Sequence, residues 1–424
     1  MRRLATVVIV ASLALSASGA GATTPGAFTF EPLAESALCS AGDPMSDVPL
    51  QLPEGIRREV LAEEVRGSDS PFPDQADMQT LNETGPHAGR YLYRTHEVAQ
   101  AGSVSVTDLE TRTTRLLHSE PHWERLDGIE WTQWGTLLVA EEVRVAQRRD
   151  PNAPSSVGGL VYEIDPLDPH NPIVRPAVGS RAHEGLAFDA PGNLYGIAEV
   201  RAVNGGGAIY QFEPDRYGDL SSGRLSVLKL DHPSVDKTGA ATWVELDDTA
   251  SAIDSEAAAD AAGATVYFKP EDLEVNAETL YVAISDEHRV IAVDLRGSRH
   301  QTTVSDYVVA GVNAPSSAQP LVGSNSFAAP DNLAFDSHGH LFITEDPGGL
   351  APAKTRGNDI WVASPPSPGE DMAATVVRFA TLTDCNAEPS GVYFDRGSRT
   401  LYVHIMHRGG PLGLLDQSLA VTSE

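Results

Sequence analysis

The sequence is short of positive charge, of cysteine and of long apolar runs. Thirty Lys and Arg face 59 Asp and Glu, a net charge of −29 at pH 7. A surface of that sign repels phosphate backbones, which excludes nucleic acid as an expected partner, and it attracts cations. Two cysteines in 424 residues exclude a small scaffold stapled by disulfides. Beyond the N-terminus no stretch approaches the ~20 apolar residues of a membrane span, so no membrane insertion is expected. Charged residues make up 21% and apolar ones 41%, which excludes a disordered acidic chain, while 37 Gly and 29 Pro exclude a long-helix architecture. What remains is a turn-rich globular fold with a sizeable core.

Residues 1–22 read as an export signal. Met1-Arg2-Arg3 is basic, Leu4 to Leu15 is apolar, and Ala20-Gly21-Ala22 supplies small residues for cleavage. The chain is expected in the periplasm or outside the cell, by the general route or the twin-arginine route. In such an oxidising compartment Cys39 and Cys385 form one disulfide or stay as two separate buried thiols.

A repeat organises the chain. DGIEWTQWGTLLVAEE from Asp127, EGLAFDAPGNLYGIAE from Glu184, EDLEVNAETLYVAISD from Glu271, DNLAFDSHGHLFITED from Asp331 and SGVYFDRGSRTLYVHI from Ser390 each read strand, turn, strand. The spacing is close to 60 residues except for an insertion between the second and third, placed in a loop-rich stretch from Arg201 to Gly263 with a solvated helix over Asp254 to Ala262. Outer strands follow each hairpin, and Gly89 to Leu117 supplies parts of one more unit upstream. Six units of four strands predict an all-β, six-bladed β-propeller of antiparallel blades around a central channel. The domain reading is a signal at 1–22, an entry segment at 23–75, a propeller at 76–410 and a tail at 411–424. Strands from the two termini should close the ring.

Acids occupy one register of the repeat. Asp127, Glu184, Glu271 and Asp331 open the first four hairpins, and Glu142, Glu199, Asp286 and Asp346 stand 15 residues later. The start of one strand and the end of its partner share the open end of a hairpin, so radial repetition should converge these carboxylates on one rim. The fifth hairpin opens with Ser390 and places Glu388 two residues earlier. Crowded carboxylates repel one another unless protonated or neutralised, and hard oxygen ligands select Ca²⁺, Mg²⁺, Mn²⁺ or Fe³⁺. A metal cluster in the channel competes with a plainer reading in which these acids are solvated and cap backbone amides. Lys269 is a cation beside the acid ring, in a salt bridge or an anion-binding role. The chain has no G-x-S-x-G and no H-E-x-x-H, which argues against a serine hydrolase and a zincin. His96, His183, His404 and His407 read as structural, and Trp123, Trp131 and Trp134 as packing between blades.

The stretch from Trp134 to Glu142, WGTLLVAEE, resembles the W-G-T-x-L-x-x-E-E signature of the PhoX-type alkaline phosphatases. His183-Glu184, Pro270-Glu271-Asp272, Pro330-Asp331-Asn332-Leu333-Ala334-Phe335-Asp336, and Glu388 with Gly391 follow that family's later patterns in order, and Tyr402 to His407 looks like its closing strand. The resemblance implies an exported six-bladed propeller whose iron and calcium cluster hydrolyses phosphomonoesters. Carried over by position, Glu142, Glu184, Glu271, Asp331 and Glu388 are the implied metal ligands. Two positions depart from the pattern: Asp127 stands where the family has an iron-binding Cys, and Lys269 where it has an Arg. A carboxylate still ligates a hard cation, whereas Lys keeps the charge and loses the bidentate fork.

The expected function is therefore a secreted, monomeric, metal-dependent hydrolase acting on a small-molecule phosphoester. Asp127, Glu142, Glu184, Glu271, Asp331 and Glu388 would bind metal, Lys269 would act catalytically, and the cofactors would be Ca²⁺ and, by the resemblance, Fe³⁺. The alternatives are a calcium-dependent lactonase propeller and a non-enzymatic, calcium-stabilised binding propeller.

Overall fold

Six short strands line a central axis: Ala76–Leu81, Leu126–Trp131, Leu186–Phe188, Pro270–Asn276, Pro330–Phe335 and Glu388–Phe394. Each packs against the next, and the last packs against the first, so the ring is closed. Each also pairs antiparallel with the strand after it, as the alternating apolar pattern requires. The intervening turns are set by an Asp that follows Phe in three repeats. Asp189 Oδ1 accepts from the amides of Gly192 (2.9 Å) and Asn193 (2.7 Å), Asp336 Oδ1 from His338 (2.9 Å) and His340 (2.8 Å), and Asp395 Oδ1 from Arg399 (2.7 Å).

The computed structural model describes residues 28–40, 48–65, 70–297, 301–316, 325–346, 355–409 and 415–423. The export signal read at residues 1–22 lies outside them. The fold is the all-β propeller that the repeats predict, with one α-helix among the described residues, but its sheets are not six independent sets of four. Hydrogen bonding gives five sheets, because Gly239–Glu245 pairs with Asp219–Leu230 of the third blade and with Thr302–Val309 of the fourth, and so fuses the two. The fifth blade gains a fifth strand, Leu50–Gln51. Apolar packing still counts six blades. One buried cluster lies between each consecutive pair, for example Leu126, Ile129 and Val139 against Tyr93 and Val104 between the first and second.

Three stretches differ from the sequence reading. Residues 201–263, read as loop-rich, contain the strands Ile209–Arg216, Asp219–Leu230 and Gly239–Glu245 and the helix α1, Asp248–Ala262. Asp247 caps α1 by accepting from Ala250 N (2.8 Å), and Gly263 ends it at φ 70°. Far from being solvated all round, α1 buries Ser251, Ser255 and Ala259. Within the tail read at 411–424, Leu415–Ser423 is a blade strand, and Ile56–Glu63 of the entry segment pairs with it antiparallel, so the two ends of the chain close the last blade. Alternation in these two strands is weak, and only pairing within the closed ring reveals them. Cys39 and Cys385 are joined as a disulfide with a Cα–Cα distance of 5.1 Å. It fastens the segment around residue 39 to the connection between fifth and sixth blades, one blade away from the closing seam.

Candidate metal centre

The opening acids sit in a repeated backbone distortion. The residue two before Asp77, Asp127, Glu271 and Asp331 has a left-handed backbone: Gln75 (φ 53°), Arg125 (44°), Lys269 (52°) and Ala329 (44°). Such a conformation costs a non-glycine residue about 1–2 kcal/mol, which the surrounding sheet must offset. The ladder then shifts register between Ala76 and Gln79, Leu126 and Ile129, Pro270 and Leu273, and Pro330 and Leu333. A bulge of this kind re-aims a side chain, here toward the axis.

Neighbouring blades meet closely at the residue after the acid. A Cβ at Gly128 would lie 2.0 Å from the Glu184 carbonyl oxygen, and one at Gly185 would lie 2.2 Å from Asp272 Oδ1. Polar groups tie the other junctions. Asp272 Oδ2 accepts from Leu333 N (2.8 Å), and Asn332 Oδ1 accepts from Gly391 N (2.6 Å).

The closing acids are placed by one recurring hydrogen bond. The amides of Glu97, Glu142, Glu199 and Asp346 donate to the carbonyls of Gln75, Arg125, Ala182 and Ala329. In the fourth blade that bond is made by Ser285, at the start of the 3₁₀ turn Ser285–Glu287. Asp286 is therefore one residue past the position its spacing predicted. It accepts from Ala202 N (3.1 Å) and lies 3.8 Å from Arg201, outside the central cavity.

That cavity, about 390 Å³, is lined by ten carboxylates: Asp77, Glu97, Asp127, Glu142, Glu184, Glu199, Glu271, Asp331, Asp346 and Glu388. Among the described residues, Arg125, Arg144, Arg201 and Lys269 are the basic residues along it. All six acids proposed as ligands from the sequence, and Lys269, line this one space. Asp77 and Glu97 were missed. They are the first blade's opening and closing acids, separated by 20 residues instead of 15 because the turn after Leu81 is longer. The signal was the Ala76-Asp77 pair just ahead of Met78.

Carboxylate oxygens of Asp77, Glu97 and Asp127 lie within 4.8 Å of one another, as do those of Glu184, Glu271 and Asp331. Burial, reinforced by the neighbouring charges, holds Asp77, Asp127, Glu142, Glu184 and Glu388 well above the usual carboxylate range. Glu271 is raised too, by burial against the opposing pull of Lys269. Burial and Asp346 push Asp331 up to about 7. Lys269 contacts Glu271 and lies 3.1 Å from Asp346 and 3.9 Å from Glu199. Burial opposes its charge, but those acids outweigh it and hold the ammonium well above the lysine range. Arg125 is engaged by Glu97 and lies 3.6 Å from Glu142.

These residues fit hard cations. Ten acids exceed four bases, two groups of three oxygens have ligand spacing, and Asp127 Oδ1 is buried without a hydrogen-bond partner. A donor set made wholly of carboxylates suits Ca²⁺ and similar ions.

The family model for alkaline phosphatase PhoX matches residues 128–409. The chain belongs to the PhoX alkaline phosphatase family. A vanadate complex of Pseudomonas fluorescens PhoX shares the fold, with a TM-score of 0.66 at 19% identity over 92% of this chain and 98% of that one. A gluconolactonase from Xanthomonas campestris aligns at a TM-score of 0.49 and 12% identity, over 93% and 100% of the two chains. No curated protein matches in sequence. Within the PhoX family match lie five of the six proposed ligands, and Asp127 directly precedes it. No helix among the described residues is long and apolar enough to cross a membrane.

Proposed function

We propose that this PhoX-family chain is an exported hydrolase of phosphoric monoesters that works through cations held in the axial cavity. The observation that carries the reading is the convergence of ten carboxylates from six blades on one cavity in a chain of this family. Asp127, Glu142, Glu184, Glu271, Asp331 and Glu388 are the proposed ligands, with Asp77 and Glu97 added by their position beside Asp127. Calcium is the proposed cation. Iron is the family's other metal, and Asp127 would have to serve it in place of a thiolate. Such ions, when bound, supply Lewis-acid activation of the phosphoryl group and of water.

The chain's own contribution is charge and position. An acid-lined cavity without cations repels a phosphoester, so the ligands make substrate binding conditional on metal. Lys269, fixed between Glu271 and Asp346, keeps its ammonium protonated and presents it at the wall, where it can offset negative charge developing on phosphoryl oxygens. The bulges and glycine contacts hold the carboxylates in place before substrate arrives, which removes reorganisation from the reaction.

Elemental analysis of the purified protein, with turnover of p-nitrophenyl phosphate with and without Ca²⁺ and iron, tests the reading. Metal-dependent release of p-nitrophenol is expected. Glu271→Gln should lose bound metal and activity while circular dichroism stays that of the folded protein. Turnover of lactones but not phosphoesters, or metal content unchanged in Glu271→Gln, would overturn the assignment.

A further inference from the structure

Arg94 is fully buried at the seam where the first blade meets the last. Its Nε donates to Ser418 Oγ (3.1 Å) and its Nη1 to Thr107 Oγ1 (2.7 Å), while Nη2 has no partner. The guanidinium carbon lies 5.5 Å from the Phe72 ring centroid, and the same ring packs edge-on against His96 and His404. Burial lowers the guanidinium to about 9, so it stays charged at neutral pH, and Tyr402 is the ionisable group that favours its charge. Among the described residues no carboxylate pairs with it.

The other buried arginines are answered differently; Arg289 pairs with Glu287 and Asp306. Arg378 pairs with Asp359 at 2.7 Å. Arg181 donates to the carbonyls of Ile197 (2.9 Å) and Val178 (2.8 Å) and lies 4.1 Å over the Tyr210 ring. Among the described residues Arg94 hydrogen-bonds through its side chain only to hydroxyls, which can turn their own hydrogens away from it. A buried cation without a counter-charge is strongly unfavourable.

We propose that a small monovalent anion of the halide type occupies this seam, held by Nη2 of Arg94 and by the hydroxyl hydrogen of Ser418. One buried positive charge calls for one negative charge, and the donors left to hold it, Nη2 and the Ser418 hydroxyl, are N–H and O–H groups. Ser418 lies directly across the ladder from His404 in the last blade, and Arg94 directly across from Ser105 in the first. The ion therefore bridges the blades that the two ends of the chain bring together, and its binding favours the closed ring. The Nε2 of His404 is also buried without a partner. Its Nδ1 faces the Asp77 carbonyl and must carry the ring hydrogen, so Nε2 presents a lone pair. A water on Nη2 would leave the charge uncompensated.

The test is thermal unfolding of the purified, calcium-loaded protein in sodium chloride or bromide against sodium gluconate at equal ionic strength. Chloride and bromide should raise the midpoint saturably by about 2 °C or more, and Arg94→Met should lose the dependence. If Arg94→Met does not fold, Ser418→Ala, which removes one donor, should raise the half-saturating halide concentration several-fold. Crystals grown in bromide should show an anomalous bromine peak beside Nη2. A midpoint indifferent to halide, or a map with water and no bromine there, overturns the proposal.

Discussion

Stripping cations from the axial cavity should make stability fall as pH rises. Asp331 carries the clearest magnitude. Its carboxyl sits at about 7 in the folded chain against an ordinary value of 3.8, a difference of about three pKa units. Each unit is worth about 1.4 kcal/mol, so ionising this one residue in the metal-free native state costs about 4 kcal/mol. The sign follows from proton linkage. Between pH 4 and 7 the native state holds a proton that the unfolded chain has released, so stability is fully present below about pH 4 and lost as pH climbs through 7. Asp127, Glu184 and Glu271 are shifted the same way and add to the slope. For a chain of this size about 2 °C accompanies each kcal/mol, which gives a drop of roughly 8 °C from Asp331 alone over the whole range, of which roughly 5 °C falls above pH 5. The assay is the unfolding midpoint at pH 5, 6, 7 and 8 in chelator and in calcium. The chelated protein should lose stability across that series and the calcium-loaded protein should not. A chelated curve that is flat or rising would refute the claim that these carboxylates share a space only cations make tolerable.

Three further outcomes follow from the same geometry. Gly128→Ala should destabilise by about 1–3 kcal/mol in urea unfolding and weaken calcium binding, because its Cβ would meet the Glu184 carbonyl at 2.0 Å; unchanged stability would mean that the axial junction gives way freely. Replacing Cys39 and Cys385 together with Ser should cost about 2–5 kcal/mol, read from the same urea midpoints, with metal content unaffected. Lys269→Gln should lower kcat on p-nitrophenyl phosphate by about 100-fold at constant metal stoichiometry, and an undiminished kcat would remove Lys269 from the chemistry.

The central site was largely legible because it is periodic. Acids at one register of a repeat must converge if the repeat closes radially, and Asp127, Glu184, Glu271 and Asp331 do so. Legibility failed where local geometry broke the period. A longer turn in the first blade hid the Asp77 and Glu97 pair, and a 3₁₀ turn moved Ser285 into the place that spacing had assigned to Asp286. The strands that close the last blade failed for another reason. Ile56–Glu63 and Leu415–Ser423 have little alternation of their own; the first forms against the second, and the second against Thr400–Arg408.

Residue order alone determined the repeat, the strand and turn chemistry, the acid register and the excess of negative charge, since each depends on neighbours along the chain. The tertiary structure decided which strands share a sheet, how the ends close the ring, and that Arg94 is buried with no counter-charge among the described residues. Those depend on contacts between residues hundreds of positions apart, whose geometry no local pattern encodes.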